Sequence, residues 1–268
     1  MPVIDLHGVS LHYNDTDGDG PAVLFSHGLL WSGDMFADQI SALRSRLRCV
    51  SYDHRGQGQS PPSPTPFDME TLYEDAVALI EKLALGPVHF VGLSMGGFIG
   101  MRLAARRPEL VRSLVLIDTA ADAEPLWNIP KYKLLALLAR GLGYRALLAP
   151  IMKIMFAPAF LGDPARSVQR QKMADHLAAL RDEPTRAALQ AVISRQPIEP
   201  ELSRISAPTL VLHGQDDKAI VESRARTMAN QIRNAQFVLI PNAGHTSTVE
   251  EPAAINAALS KFLSQQIA

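Results

Sequence analysis

The stretch "HFVGLSMGGFIG", residues 89–100, sets one hydroxyl, that of Ser94, among four glycines and a run of apolar residues. Ser94 is either a nucleophile on a tight turn or a small residue packing a buried strand against a helix. Gly92-Leu93-Ser94-Met95-Gly96 is the chain's one match to G-x-S-x-G. "VHFVG" before the serine reads as a strand, and "MGGFIGMRLAARRP" after it as a helix stopped by Pro108, which is the context such a nucleophile needs. Glycines two residues to either side leave room for strand and helix to approach closely. The free N–H groups at the helix start would face a developing oxyanion. The nucleotide-binding patterns G-x-G-x-x-G and G-x-x-x-x-G-K-[ST] are absent.

Outward from this turn, "AVLFS" (22–26) and "SLVLID" (113–118) are continuous apolar runs, the mark of strands covered on both faces. "RCVSYD" (48–53), "TLVLHG" (209–214) and "QFVLI" (236–240) read as further strands, and two short ones flank His7-Gly8. Helices are expected over Asp34–Leu47, from a cap at Asp68 through Leu72, Ala76, Leu79, Ile80 and Leu83, over Val221–Ile232, and over Pro252–Leu263. The proline-rich "HRGQGQSPPSPTP" reads as an exposed loop. Strands alternating with helices give an α/β fold, a mostly parallel central sheet flanked by helices. Residues 121–206 break the rhythm with helical segments alone. The expected organisation is a core of residues 1–120 and 207–268 carrying a helical cap of 121–206.

A serine hydroxyl needs a base. Of eight histidines, His7 and His12 belong to the N-terminal hairpin, His54 to a loop turn, His89 to a strand, His176 to a cap helix, and His213 to a strand end where packing is expected. His245 differs: it follows the last strand by a short loop, in "PNAGHTSTVEEP", at the strand edge where open α/β sheets place their sites. Its alternative is a loop histidine capping the final helix. The imidazole in turn needs an acid to hold its tautomer. Asp216 and Asp217 follow a strand in "HGQDDKAI". Asp118 and Asp53 end other strands and are expected to bond within their own turns.

The bulk composition excludes several classes. The 268 residues are 47% hydrophobic with a formal net charge of −1, so nothing drives the chain as a whole toward nucleic acid. Cys49 is the lone cysteine, no secretory signal opens the chain, and a cytoplasmic location is expected. The longest apolar runs, such as "LLALLA" (134–139), are too short to span a bilayer. HExxH and Cys/His clusters are absent, so no metal and no organic cofactor are expected.

"SHGLL", "YDHRGQGQS", "GLSMGG", "LHGQDD" and "NAGH" together resemble the α/β-hydrolase superfamily in order and spacing, over about 1–120 and 207–268. The resemblance implies a Ser94–His245–Asp217 triad, because the family's acid stands three residues after the glycine ending its strand, here Gly214. It implies an oxyanion hole of the Leu29 and Met95 N–H groups. It also implies a carboxylic ester or lactone as the small-molecule partner, cleaved through an acyl-enzyme. "RGQGQS" and "HTSTVEEP" are similar to the 3-oxoadipate enol-lactonase branch, and "LFSHGLLWSGDMF" to the arylesterase and perhydrolase branch. Perhydrolases carry proline where this chain has Leu30, which favours hydrolysis. Trp31, Phe156 and Thr246 are expected at the pocket. The cap's net charge of +4, against −5 for the remainder, fits either steering of an anionic lactone or simply solvated helix faces. A ligand receptor on the same scaffold and a lyase using the same Ser/His pair are the rival functions.

Overall fold

Apolar side chains alternate between two sides of the sheet. Leu24, Val50, Phe90, Leu114 and Val211 join one core, while Val23, Phe25, Cys49, Val91, Val115 and Leu210 join the other. The computed structural model describes residues 2–6 and 8–267; His7, expected in the first hairpin, lies outside them. Eight strands run β1 (Val3–Leu6), β2 (Val9–Asp15), β3 (Ala22–Ser26), β4 (Arg48–Tyr52), β5 (Val88–Leu93), β6 (Val111–Ile117), β7 (Thr209–Gly214) and β8 (Gln236–Ile240). Their spatial order is β1-β2-β4-β3-β5-β6-β7-β8. β1 and β2 are antiparallel, β2 pairs antiparallel with β4, and every pairing from β4 to β8 is parallel.

Helices α2 (Met69–Lys82) and α3 (Met95–Arg106) contribute to the first core, with α9 (Glu222–Gln231). Helices α1 (Ala37–Leu43) and α11 (Pro252–Ile267) contribute to the second. Each fully buried Leu, Val or Phe in these layers contributes roughly 1.5–3 kcal/mol. Asp68 opens α2 as expected, its side chain accepting the Thr71 N–H at 2.9 Å. Between β6 and β7 lie α4 (Ile129–Leu142), α5 (Leu148–Met155), α6 (Pro158–Gly162), α7 (Ser167–Ala178) and α8 (Asp182–Ile193), with no strand among the described residues. Past β8 comes the four-residue α10 (Ser247–Glu250).

Three expectations change. The helix expected over 34–47 is a 3₁₀ turn, Gly33–Phe36, followed by the short α1. Gly33 must lie against Ser51, and its N–H donates to Asp53 Oδ1 at 2.7 Å, which ties the start of this segment to the sheet. The loop after Asp53 is exposed in its proline half and at Gly58 and Gln59, but not throughout. His54, Arg55, Gln57 and Ser60 are buried: His54 meets Ser26 and His27, Gln57 accepts the Leu30 N–H, Arg55 pairs with Asp75, and Arg181 donates to the Ser60 carbonyl. His12, expected away from the carboxyl edge, lies against it: β2 runs antiparallel to β4, and His12 Nδ1 meets Asp53 Oδ2 at 3.1 Å.

Candidate active site

β3, β5, β7 and β8 end at one edge of the sheet, and their following loops bring together residues far apart in sequence. Ser94 leaves β5 at φ +50° and ψ −109°, a backbone conformation that costs of order 1–3 kcal/mol for a non-glycine residue. The turn is held from both sides. The Ser94 N–H donates to the Ile117 carbonyl at 2.8 Å, and the Ser94 carbonyl accepts the Thr119 hydroxyl at 2.8 Å and the Gly97 N–H at 2.9 Å. The flanking glycines are sterically required: a Cβ on Gly92 would overlap the Gly96 carbonyl, and one on Gly96 the Ser26 carbonyl.

The Ser94 hydroxyl donates to His245 Nε2 at 2.9 Å, and His245 Nδ1–H donates to Asp217 Oδ2 at 2.8 Å. Asp217 Oδ1 accepts the Ala219 and Ile220 N–H groups at 2.8 and 2.9 Å, which fixes the carboxylate. Asp216 is exposed, whereas Asp217 is buried. Burial by itself would lower the pKa of His245. The charge and hydrogen bond of Asp217, with Asp118 and Glu250 nearby, outweigh it and hold the imidazole above its ordinary range.

Asp53 bonds partly within its own turn, through Gln59, but Asp118, expected to do the same, bonds distant loops instead. Asp118 accepts the Gly214 N–H at 2.8 Å and the Ser247 hydroxyl at 2.6 Å; Asp53 accepts the Gly33 and Gln59 N–H groups. Asp118, His213 and Asp217 crowd together, but every carboxylate oxygen of the two aspartates already accepts a protein donor.

Leu29 lies in a turn closed by Trp31 N–H to the Gly28 carbonyl. Met95 is the first residue of α3, where N–H groups have no helical partner. Among the described residues no acceptor takes the N–H of either. Two histidines brace this turn. His27 Nδ1–H donates to the Gly28 carbonyl at 2.8 Å, and His27 Nε2 accepts the His54 N–H at 3.0 Å. Burial holds both imidazoles below their ordinary range, hence neutral. Gln57 Oε1 accepts the Leu30 N–H at 3.1 Å. Leu30 has φ +75°, which the fixed ring of a proline cannot adopt.

Ser94 and His245 lie at the wall of a cleft of about 930 Å³ measured out to its mouth. Phe98, Leu135, Leu147, Ile151, Val192 and Ile220 make it largely apolar, with Tyr132, Tyr144 and Thr185 among the polar walls. Among the described residues lining it there is no lysine or arginine, and its one carboxylate is Glu124. Arg195 Nη1 donates to Glu124 Oε2 at 3.0 Å, with its guanidinium 4.1 Å from the Phe98 ring centre. Trp31, Phe156 and Thr246, expected at the pocket, stand behind its lining. Trp31 packs edge-on to Phe156 and stacks on His176, and the Thr246 hydroxyl donates to the Met155 carbonyl at 2.9 Å. Packing of α5 and α7 on the core turns these side chains away from the cleft.

The sequence profile described as the alpha/beta hydrolase fold matches residues 21–252. The chain belongs to the α/β hydrolase fold family. Among its relatives in that family is "Putative carbamate hydrolase RutD" of Caulobacter sp. (strain K31), 31% identical, with 96% of this chain and 97% of that protein covered. 3-oxoadipate enol-lactonase 2 of Acinetobacter baylyi is 28% identical, with 91% of this chain and 89% of that one covered. Among solved structures, the enol-lactonase from Burkholderia xenovorans LB400 superposes with a TM-score of 0.89 at 29% identity, covering 98% of this chain and 100% of its own. A thermophilic esterase from Thermogutta terrifontis superposes with a TM-score of 0.90 at 26% identity, covering 99% and 97%.

Within this hydrolase fold, sequence reasoning missed Glu250. It is 1% exposed. Its Oε1 accepts the N–H groups of Gly244 and Thr246, at 2.9 and 3.2 Å, on either side of His245. Its Oε2 accepts the Ala157 N–H at 2.7 Å. Burial pushes its carboxyl up to about 8, against the pull of these three donors. The signal was present as paired carboxylates in "VEEP", five residues after His245.

Proposed function

We propose that this chain is a serine hydrolase of carboxylic esters or lactones whose acyl and alcohol parts are apolar and uncharged. The observation that carries the reading is the hydrogen-bonded series Ser94–His245–Asp217 opening onto an apolar cleft. Ser94 attacks the carbonyl while His245 takes its proton, and the imidazolium that forms is stabilised by Asp217. The tetrahedral oxyanion is received by the Leu29 and Met95 N–H groups, which have no acceptor among the described residues. His245 then protonates the leaving alcohol. The same base activates a water that releases the acid from Ser94. Every step uses side chains and backbone groups of this chain.

The carboxylate-bearing lactone of the 3-oxoadipate branch fits less well. No lysine or arginine is among the described residues of the cleft lining, and the nearby Arg195 is already paired with Glu124, so nothing there is left to pair with an anion. Steered encounter alone would not compensate an unpaired carboxylate buried against Phe98 and Leu135.

The test is a panel of 4-nitrophenyl esters of increasing acyl length, neutral lactones, a carboxylate-bearing lactone and a carbamate, run on the parent and on Ser94→Ala. The expected result is turnover of neutral esters or lactones, lost in Ser94→Ala, with the carboxylate-bearing member the poorest. Absence of turnover across the panel sinks the hydrolase reading. Undiminished turnover by Ser94→Ala sinks the site. Preference for the anionic lactone sinks the substrate class.

A further inference from the structure

Helix α4 is apolar on two sides. Leu135, Ala136 and Tyr132 line the cleft, and Ala139 is buried. The opposite side carries Leu134, Leu137, Leu138 and Leu142, exposed by 56, 65, 38 and 65%. Their i, i+3, i+4, i+8 spacing places them along one stripe of the helix. Trp127 and Leu126, in the turn before it, are 81 and 79% exposed. Isolated exposed leucines are ordinary, but six large apolar side chains gathered on one helix and the turn before it mark a surface that meets something apolar.

The charge around this stripe is one-sided. From Pro125 to Gly162 the chain has no aspartate or glutamate, and it carries Lys131, Lys133, Arg140, Arg145 and Lys153. All five are exposed, and none makes an ion pair or side-chain hydrogen bond among the described residues. Elsewhere in the same cap the arginines are occupied: Arg186 pairs with Asp182, Arg195 with Glu124, and Arg181 with two carbonyls. The groove between α4 and α8 adds one acid, Glu183, beside Lys133, Arg140 and Arg186.

We infer that α4, with Trp127 and Leu126, docks the protein peripherally on an anionic lipid surface. Apolar side chains rimmed by lysine and arginine are what such a surface recognises, by burial at the headgroup–acyl boundary and by attraction to acidic headgroups. A second copy of the chain fits worse. A two-fold contact through α4 would press its free Lys131, Lys133 and Arg140 against the same three of the other copy. No described helix is long and apolar enough to cross a membrane, so the contact lies in the plane of the surface. The inference stands apart from the proposed chemistry, since lipid docking does not require a working Ser94.

The experiment is sedimentation of the full chain with vesicles of phosphatidylcholine alone and of phosphatidylcholine with about one-third phosphatidylglycerol, at low and high salt. Two variants are run in parallel: Trp127→Ser/Leu137→Gln/Leu142→Gln, and Lys131→Gln/Lys133→Gln/Arg140→Gln. Circular dichroism and Tm control for folding. Binding about tenfold or more stronger to the anionic vesicles, weakened by salt and by both variants, is the expected result. The inference is overturned by equal or absent binding to the two vesicle types, or by variants that bind like the parent. It is also overturned if light scattering finds a dimer that the apolar-face variant dissociates.

Discussion

Glu250 takes the backbone N–H of Ala157 at 2.7 Å, although 93 residues separate them, one in α10 and the other between α5 and α6. The other oxygen of the same carboxyl holds Gly244 and Thr246, the neighbours of His245. One side chain therefore fixes the loop of the proposed base and the junction of α5 and α6 together. The close approach is built in, since a Cβ on Gly244 would stand 2.7 Å from the Ala157 nitrogen.

Glu250→Gln tests this link. An amide keeps one acceptor oxygen but turns an NH₂ toward at least one backbone N–H, and a buried donor left unmade costs about 1–3 kcal/mol. In a chain of this size that lowers Tm by roughly 2–10 °C. Freed from its flanking bonds, His245 loses alignment with Ser94, and kcat is expected to fall about tenfold or more with KM little changed. A thermal melt and steady-state kinetics check both halves. Parental kcat in the variant would remove Glu250 as a positioning residue.

Ser94 combines the proposed nucleophilic hydroxyl with a backbone at φ +50°. Ser94→Ala and Ser94→Gly should both lose about a thousandfold or more of the activity. Their stabilities should differ, because glycine adopts this conformation freely and alanine does not. Ser94→Gly is expected to be more stable than Ser94→Ala by about 1 kcal/mol, read from denaturant midpoints at equal slope. Equal midpoints would mean that the turn stores no strain.

The elevated pKa of His245 predicts the acid side of the pH profile. Below that pKa the imidazole is protonated and cannot take the Ser94 proton, so kcat/KM rises with pH through a midpoint above about 6.5. Asp217→Asn removes the charge that holds the pKa up and leaves burial to lower it. Its midpoint should therefore shift to lower pH, while kcat falls about a thousandfold or more. A midpoint that stays in place would mean that another group sets the acid limb.

Ser94 and His245 were legible as candidates because each follows a β-strand at a turn on one sheet edge, whereas the choice of Asp217 over Asp216 came from the resemblance to the α/β-hydrolase pattern. The parallel strands were legible because a continuous apolar run needs cover on both faces. Trp31, Phe156 and Thr246 were not placed correctly, since the direction of a side chain depends on how α5 and α7 pack on the core, which periodicity along the chain does not encode. His54 and Gln57 were read as loop residues because their partners lie outside the loop: His54 meets Ser26 and His27, and Gln57 accepts the Leu30 N–H. Glu250 and Glu251 look alike in sequence, and only the short turn of α10 makes the first buried.

The absence of a lysine or arginine among the described residues of the cleft lining predicts a gain of function. Leu189 lines both the cleft and the outer groove between α4 and α8, and is partly exposed. An arginine there can keep its guanidinium at the mouth, in contact with water, and so escape the cost of full burial. Leu189→Arg should lower KM for a carboxylate-bearing ester by about threefold to fivefold, the value of a partly screened ion pair of roughly 0.7–1 kcal/mol. It should leave kcat for a short neutral ester near parental, since Ser94, His245 and both proposed oxyanion donors are untouched. The gain should shrink with added salt, which separates a charge effect from altered packing. If KM for the anionic ester is unmoved while the neutral ester behaves normally, the cleft does not read charge at this position.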